Sequence, residues 1–316
     1  MFRVQKVEKI SDLNTLARLY HSNLARGSAT HALEYVGSRG ITSEQINKHL
    51  IGYSDLFTSH KKTKMSREII NLVARGGKDF FYNKITFPIQ YNGRVVNFTS
   101  RTLSGGVKYL HMPGKITHAF NQDILSTSNW AVICEGPIDC LTLERWGIPA
   151  VGLLGIHSTP SSLVTGLHDK KVFICFDSEP NKAGSNAADK LARKLLRFDI
   201  RASIVHLPEG NKKIDVNDFS QDHTGEDFYK LLGVARVYKG RPSQERKYEK
   251  EDGDIIEVAR KYMEVFQSGS KFKAACPFHK ETKPSLVFYP DGTGFCFGCG
   301  EVVTISKIEK HFKSRT

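Results

Sequence analysis

The chain has 316 residues, of which 40% are hydrophobic and 25% charged, and it carries a formal net charge of +13. This length suits two domains, or a large domain and a small one, with enough apolar residues for a core. No stretch approaches the roughly 20 apolar residues of a membrane span, and the N-terminus lacks the apolar segment of a secretory signal. These features argue against a membrane protein, and cysteines that are expected to be thiols and not disulfides indicate a cytoplasmic one.

The first 125 residues are predicted to form a basic subdomain with mixed α+β structure. They contain 18 Lys and Arg against 8 Asp and Glu, an excess that suits a polyanionic partner. The predicted elements are helices over 28–36 and 43–49, strands over 84–90, 94–100 and 107–110, and turns at Asn92–Gly93 and Gly105–Gly106. The strands and turns together predict an antiparallel meander.

Residues 126–235 alternate between strand and helix patterns and are predicted to form an α/β domain. The predicted strands are 130–134, 150–154, 171–176 and 201–207, and the predicted helices are 138–146, 161–167 and 185–196. Such alternation is typical of a parallel sheet with helices on both faces. Cys134, Cys140 and Cys175 lie in its apolar stretches and are predicted to be buried thiols.

Acidic residues follow three of these predicted strands. Glu135 follows the first strand, Asp177 and Glu179 follow the third, and Asp215 and Asp218 come after the fourth. The carboxyl ends of parallel strands share one edge of a sheet, which is where sites form in this architecture. Clustered carboxylates repel one another unless a cation lies between them, and Mg²⁺ prefers oxygen ligands. The pattern therefore predicts a divalent metal site at this edge.

A charged stretch poor in aliphatic residues, 236–253, is predicted to be a linker to a small domain over 254–316. That domain contains two pairs of metal-binding residue types, each pair separated by two residues. A predicted hairpin, with strands over 285–289 and 295–297, would bring the two pairs together. Tetrahedral zinc takes four such ligands. We therefore predict one structural zinc ion, held by Cys276, His279, Cys296 and Cys299.

Three groups of residues resemble those of bacterial-type, DnaG-like DNA primases. The segments 135–139, 177–184 and 215–218 are similar to motifs of the Toprim domain, which these primases share with topoisomerases, some nucleases and recombination mediators. The Cys/His pattern resembles the CHC2 zinc-binding domain, and residues 31–53 and 84–110 resemble the start of the primase catalytic core. The resemblance covers nearly the whole chain and favours a phage or mobile-element primase.

This resemblance implies a DNA-templated primase that makes short RNA primers by metal-dependent nucleotidyl transfer. Its substrates would be a single-stranded DNA template and ribonucleoside triphosphates, its catalytic ion Mg²⁺ or Mn²⁺, and its partner a separate replicative helicase. The implied metal ligands are Asp177, Glu179 and Asp215, with Glu135 as general base or further ligand and Asp139 supporting it. Arg101 and Lys108 match family residues that hold nucleotide and template phosphates, and Lys84 and Arg94, on the same predicted sheet, would extend the groove.

The sequence departs from the family pattern at two points. Glu179 stands where relatives usually have Asp, and the zinc domain comes last instead of first. Two other functions stay open: a non-catalytic zinc and Toprim recombination mediator that binds DNA, and a Toprim nuclease. In the zinc domain, aromatic residues near lysines suggest a surface that stacks on unpaired template bases, while some of these rings must form the core, because so small a domain has little else to bury. These aromatic residues are Phe288, Tyr289, Phe295 and Phe297.

Overall fold

The computed structural model consists of two compact units. The described residues are 12–26, 29–55, 74–75, 78–103, 107–113, 116–155, 159–240, 254–268, 271–281, 284–289, 292–296, 299 and 301–314. One unit comprises residues 1–159 and 166–238, and the other comprises residues 160–165 and 239–316. Within the described ranges, every helix falls short of the length or apolar character that a membrane span requires.

The first unit begins with three helices: α1 (Leu13–Leu24), α2 (Thr30–Ser38) and α3 (Ser43–Lys48). Helix α1 starts where the Asp12 carboxylate accepts a hydrogen bond from the Thr15 N–H at 2.7 Å, which satisfies an otherwise unpaired donor. Helix α3 starts with a reciprocal pair of bonds between Thr42 and Gln45. Local capping chemistry thus sets where these helices begin.

An antiparallel sheet follows these helices. Its strands are β1 (Gly52–Ser54), β4 (Lys84–Tyr91), β5 (Arg94–Thr102) and β6 (Tyr109–His111), in the order β1-β4-β5-β6. A separate two-stranded ribbon contains β2 (Ala74–Arg75) and β3 (Lys78–Asp79). The turn between β4 and β5 has positive φ at Asn92 (50°) and Gly93 (72°), the geometry that matches the twist of a tight hairpin. The predicted Gly105–Gly106 turn lies outside the described residues.

The apolar face of α1 packs against this sheet. Leu16, Tyr20, Phe81 and Phe98 are completely buried in one cluster. Strand β1 lies very close to the helix, because a Cβ on Gly52 would be 2.4 Å from the carbonyl carbon of Tyr20. A glycine is therefore required at this position for the helix and strand to meet.

The rest of the first unit contains the predicted parallel sheet. Its strands are β7 (Trp130–Cys134), β8 (Ala150–Gly152), β9 (Lys171–Cys175), β10 (Ala202–Val205) and β11 (Arg236–Val237), in the order β11-β10-β9-β7-β8. All pairs are parallel except β10 with β11. Consecutive residues of β7, from Ala131 to Cys134, are fully buried, so both faces of this strand are covered. The predicted α/β fold is confirmed.

Helices connect the strands of this sheet. The three predicted helices are present as α4 (Pro137–Arg145), α5 (Ser161–Gly166) and α6 (Ala183–Leu196). Helices α7 (Val216–Phe219) and α8 (Gly225–Val234) and a 3₁₀ helix over Gln122–Ser126 were not predicted. The thiols of Cys134, Cys140 and Cys175 are buried. Residues 236–237, at the start of the predicted linker, form edge strand β11. Residues 241–253 of the predicted linker lie outside the described residues.

The second unit contains an antiparallel sheet and two helices in its C-terminal part. The elements are α9 (Ile255–Arg260), β12 (Val265–Ser268), β13 (Lys271–Ala274), β14 (Leu286–Phe288), β15 (Gly294–Cys296), β16 (Val302–Val303) and α10 (Ile305–Lys313). The strand order follows the chain, from β12 to β16. The predicted zinc hairpin corresponds to β14 and β15.

The aromatic residues predicted to stack on template bases are buried instead. Phe288, Tyr289 and Phe295 are only 3%, 8% and 8% exposed, and Phe297 lies outside the described residues. The prediction of an exposed stacking surface was therefore wrong for these three rings. So small a domain has few other large apolar side chains, and it uses these rings to build its core.

Candidate active site and metal centre

The acidic residues of the parallel sheet meet because the chain adds strands first on one side of β7 and then on the other. From β7 the chain continues to β8 on one side, and then returns to β9 on the other side of β7. Ligand crevices form at such a switch point, at the carboxyl ends of the strands. Glu135 follows β7 and Asp177 lies just beyond β9, so they are neighbours. The Asp177 N–H donates a hydrogen bond to Glu135 Oε1 at 3.1 Å.

A second segment reaches this edge through a short backbone bridge. Ser178 and Ile214 exchange two N–H···O bonds of 2.9 Å each. The bridge places Lys213 and Asp215, which flank Ile214, next to the end of β9. Asp215 also begins helix α7, since its Oδ1 accepts a bond from the Asp218 N–H at 2.7 Å. The acidic residues predicted at the three strand ends are thus held by different local interactions.

Helix α6 also approaches the end of β9 closely. A Cβ on Gly184 would lie 1.9 Å from the carbonyl oxygen of Asp177, so only glycine fits there. Close packing therefore explains why glycine follows Ala183. The glycine lets the first turn of the helix press against the backbone that carries Asp177 and Glu179.

A cavity of about 180 Å³ opens at this edge, and its lining includes a group of acidic residues (the acidic wall) and a group of basic residues (the basic wall). The acidic residues in its lining are Glu135, Asp139, Asp177 and Asp215, and the basic residues are Arg39, Arg101, Lys108 and Lys213. Tyr35, Tyr109 and His111 complete the polar lining. The structure therefore brings together four predicted carboxylates with both predicted nucleotide-binding cations, Arg101 and Lys108.

Three predicted site residues lie outside the lining of this cavity. Lys84 begins β4 and donates a hydrogen bond from Nζ to the Tyr82 carbonyl at 3.1 Å. Arg94 is exposed at the start of β5, whereas Arg101 lies near the other end of that strand. Glu179 lines a second cavity of about 190 Å³, which shares Asp177 with the first. The predicted roles of these residues stay predictions.

Polar atoms without partners surround the first cavity. Nε and Nη1 of Arg101, Nδ1 of His111, the Tyr35 hydroxyl and Oδ1 of Asp139 are all buried and unpaired. Arg101 instead lies over the ring of Tyr109, 5.1 Å from its centre. Burial lowers the pKa of His111 and so favours its neutral form. Leaving buried donors unpaired is costly, so this arrangement is typical of a site that binds an anionic ligand.

The carboxylates of the acidic wall shift one another's protonation. Burial, reinforced by the charges of Asp215, Asp177 and Glu135, raises the pKa of Asp139 well above its ordinary value. Burial and the charge of Glu135 raise the pKa of Asp177 to about 7, although Lys213 opposes the shift. A cluster with this excess of negative charge is stabilised by a cation. The oxygen-rich donor set fits Mg²⁺ or Mn²⁺.

Lys213 was not predicted as a site residue. Its ammonium group forms an ion pair with Asp177 Oδ2 and lies 2.7 Å from Glu179 Oε1. Neither its spacing nor its surroundings in the sequence distinguish it from Lys212. Arg39, Tyr35 and His111 were also missed, because the chain brings them to the cavity from distant segments.

The four predicted zinc ligands of the second unit lie together. Their ligand atoms all fall within 4.8 Å of one another, the only such group of three or more within the described residues. The Sγ atoms of Cys276 and Cys299 are 3.8 Å apart, and Cys296 Sγ is 3.7 Å from His279 Nδ1. A tetrahedron with Zn–S bonds of about 2.3 Å has an edge of about 3.8 Å. The geometry therefore fits zinc.

Glu281 organises this metal centre and was not predicted. Its carboxylate lies 3.0 Å from His279 Nε2, which leaves Nδ1 as the metal-facing nitrogen. It also accepts hydrogen bonds from the Cys276 N–H at 2.6 Å and from the hydroxyl of Ser285. Ser285 Oγ in turn lies 3.1 Å from Cys296 Sγ. One carboxylate thus orients ligands from both halves of the centre, as outer-shell partners of zinc do.

Three family models match successive parts of the chain. Residues 19–123 match the N-terminal domain of the DNA primase catalytic core, residues 130–226 match the Toprim domain, and residues 244–312 match the CHC2 zinc finger. The zinc domain is therefore the last of the three.

The chain is also similar to curated and solved proteins. It is 31% identical over 212 residues to a DNA primase of Buchnera aphidicola, and the aligned region covers 59% of this chain and 36% of that protein. A solved DnaG catalytic core has a TM-score of 0.62 at 24% identity, covering 71% of this chain and 79% of that one. A DnaG primase catalytic domain bound to ssDNA has a TM-score of 0.61 at 23% identity, covering 71% and 80%. The structural matches show a shared fold. The chain spans about two fifths of the length of the curated relatives it matches.

Proposed function

Because the chain belongs to the DnaG-type primases, with the core N-terminal, Toprim and CHC2 zinc domains in that order, we propose that it is a DNA-templated RNA primase. It would synthesise short primers for DNA replication from ribonucleoside triphosphates. The observation that supports this proposal best is the cavity that Arg101 and Lys108 line together with four carboxylates. Such a cavity suits a triphosphate held between a metal and fixed cations.

The acidic wall would bind the catalytic metal. Glu135, Asp177 and Asp215 line the cavity and offer carboxylate oxygens. A divalent ion held there would neutralise the negative charge that develops on the triphosphate. Burial and the neighbouring carboxylates raise the pKa of Asp139, which favours its neutral form and lowers the repulsion within this cluster. Glu135 would use its remaining oxygen as a further ligand, or as the base that takes a proton from the attacking hydroxyl.

The basic wall would bind the phosphates of the nucleotide and the template. Arg101 has two buried donor nitrogens without partners, and these could bind phosphate oxygens. Lys108 lines the same wall. The 3′-oxygen of one nucleotide would form a bond to the α-phosphorus of the next, while the bond to the bridging oxygen breaks and pyrophosphate leaves. These side chains would hold the reacting groups in line.

We also propose the partners of the reaction. A related catalytic domain was solved bound to ssDNA, and a single-stranded template is the substrate we expect here. A separate replicative helicase would supply that template. The enzyme would act where DNA is replicated, in the cytoplasm of a bacterial or phage-infected cell, although a phage origin rests on the order of domains alone. The domain limits 1–125, 126–235, 236–253 and 254–316 also stay predictions.

The test is primer synthesis by the full chain. The protein is mixed with single-stranded DNA, labelled ribonucleoside triphosphates and Mg²⁺ or Mn²⁺, and short RNA products are separated by size. Glu135→Gln and Asp177→Asn should each reduce synthesis at least ~100-fold, because phosphoryl transfer depends on the bound metal, and should leave DNA binding nearly unchanged. Asp222→Asn, at an exposed position of the same unit, is the matched control.

Each other outcome has a distinct meaning. Near-normal synthesis by Asp177→Asn would show that the carboxylates are not the catalytic metal site. Cleavage of DNA in place of RNA synthesis would identify a Toprim nuclease. DNA binding without either reaction, across varied templates and both metals, would support a recombination mediator.

A further inference from the structure

Lys213 occupies a position between two carboxylates that were both predicted to bind metal. Its Nζ pairs with Asp177 Oδ2 and lies 2.7 Å from Glu179 Oε1. The two carboxylate side chains are only 7% and 17% exposed, whereas the Lys213 side chain is 44% exposed, so solvent screens the interaction from the side of the lysine. The ammonium group therefore has the place and the charge of a bridging cation.

The backbone holds Lys213 in this position. The paired bonds between Ser178 and Ile214 join its segment directly to the segment that carries Asp177 and Glu179. Other cations of the cavity are engaged elsewhere. Arg39 lies 3.7 Å from Asp218, and Arg101 lies over the rings of Tyr109 and Tyr35.

The two carboxylates differ in what else they face. Asp177 lines both cavities, and in the main cavity it is joined by Glu135 and Asp215, whereas Glu179 lines only the second cavity. A divalent ion bound by both Asp177 Oδ2 and Glu179 Oε1 would have to displace the ammonium group, because both cations need the same lone pairs. An ion bound on the side of Asp177 that lines the main cavity would leave the ammonium group in place.

We infer that Lys213 takes the place of a metal ion between Asp177 and Glu179, so that the acidic wall binds a single divalent ion, on the side of Asp177 that lines the main cavity. Glu179 then serves as the anchor of Lys213 and not as a metal ligand. The longer side chain of glutamate suits this role, since it reaches the ammonium from outside the cavity. The inference builds on the metal site of the proposed function.

Manganese binding tests this inference without nucleotide or template, so the result is independent of whether primers are made. The zinc-loaded full chain is titrated with MnCl₂, and free Mn²⁺ is measured by electron paramagnetic resonance. The wild type and the control Lys212→Met, at an exposed neighbouring lysine, should bind one ion. Lys213→Met should bind a second ion, and Lys213→Met combined with Glu179→Gln should lose it again.

A second variant does not depend on whether Lys213→Met folds. Glu179→Gln alone should bind Mn²⁺ within about twofold of the wild type, because its carboxylate contacts Lys213 and not the ion. An affinity loss of about tenfold or more, equivalent to ~1.4 kcal/mol, would show that Glu179 binds the metal directly and would overturn the inference. Identical stoichiometry and affinity in a folded Lys213→Met would overturn it as well.

Discussion

Replacing Glu144 with glutamine should weaken the packing of helix α3 against helix α4. The Glu144 carboxylate receives hydrogen bonds from Lys48 Nζ at 2.6 Å and from Gln45 Nε2 at 3.1 Å, and lies 2.8 Å from His49 Nε2. Its side chain is 17% exposed. Glutamine has the same shape but lacks the charge, so the variant tests the electrostatic part of this contact.

The size of the effect follows from the pKa of Glu144. Burial would raise this pKa, but hydrogen bonds and charge from His49 and Lys48 outweigh burial and lower it from 4.5 to about 2. A difference of about 2.5 units corresponds to at most ~3.4 kcal/mol of folding free energy. Lys48 is half exposed, so solvent screens part of the interaction. We expect Glu144→Gln to destabilise the first unit by about 1.5 kcal/mol.

The sign of the pH dependence is fixed by the lowered pKa. A carboxylate whose pKa is lower in the folded state stabilises the protein above its unfolded pKa and loses that effect as it becomes protonated. The difference between wild type and Glu144→Gln should therefore be full above pH 4.5 and shrink toward pH 2. Above neutral pH, the protonation of Glu144 should cause no further change in this stability difference.

Urea unfolding followed by tryptophan fluorescence measures this difference. Both tryptophans, Trp130 and Trp146, belong to the first unit, so the signal reports that unit alone. Glu34→Gln, at an exposed position on α2, is the control and should change stability by less than about 0.5 kcal/mol. An unchanged urea midpoint for Glu144→Gln at neutral pH would refute the reasoning, and so would a difference that does not shrink on acidification.

Three further predictions concern the second unit. Cys296→Ser should release zinc and unfold residues 254–316, because metal binding supplies much of the folding free energy of such domains; elemental analysis and circular dichroism test this, and a folded, metal-free domain would contradict it. Glu281→Gln should weaken zinc retention by about 10- to 100-fold against a chelator, since outer-shell partners contribute that much, whereas the control Glu257→Gln, at an exposed site on α9, should retain zinc normally. A truncation ending near Gly240 should keep some extension of annealed primers but lose start-site selection; initiation at the same template positions as the full chain would show that the zinc domain is only structural.

Local patterns in the sequence were enough to predict much of this protein. Strand β7 matches its predicted limits, and β8, β9, β10 and helices α4 to α6 lie within a few residues of theirs, whereas β11, α7 and α8 were not predicted. These elements depend on apolar periodicity and on turn residues, which act over short stretches of chain. The zinc ligands were recognisable for the same reason, since two paired spacings and a hairpin are local features.

The tertiary structure alone decided which side chains complete the two centres. Lys213 reaches Asp177 and Glu179 from a distant part of the chain, through a single backbone bridge that no sequence pattern marks. Glu281 contacts only residues within five positions of it in the sequence, Cys276, His279 and Ser285, and the fold adds the step from Ser285 to Cys296 in the other half of the zinc centre. The tertiary structure also decided which aromatic rings of the zinc domain are buried. So small a domain builds its core from the few large apolar side chains that it has. Sequence spacing determines local geometry, whereas contacts between distant segments depend on how whole elements pack.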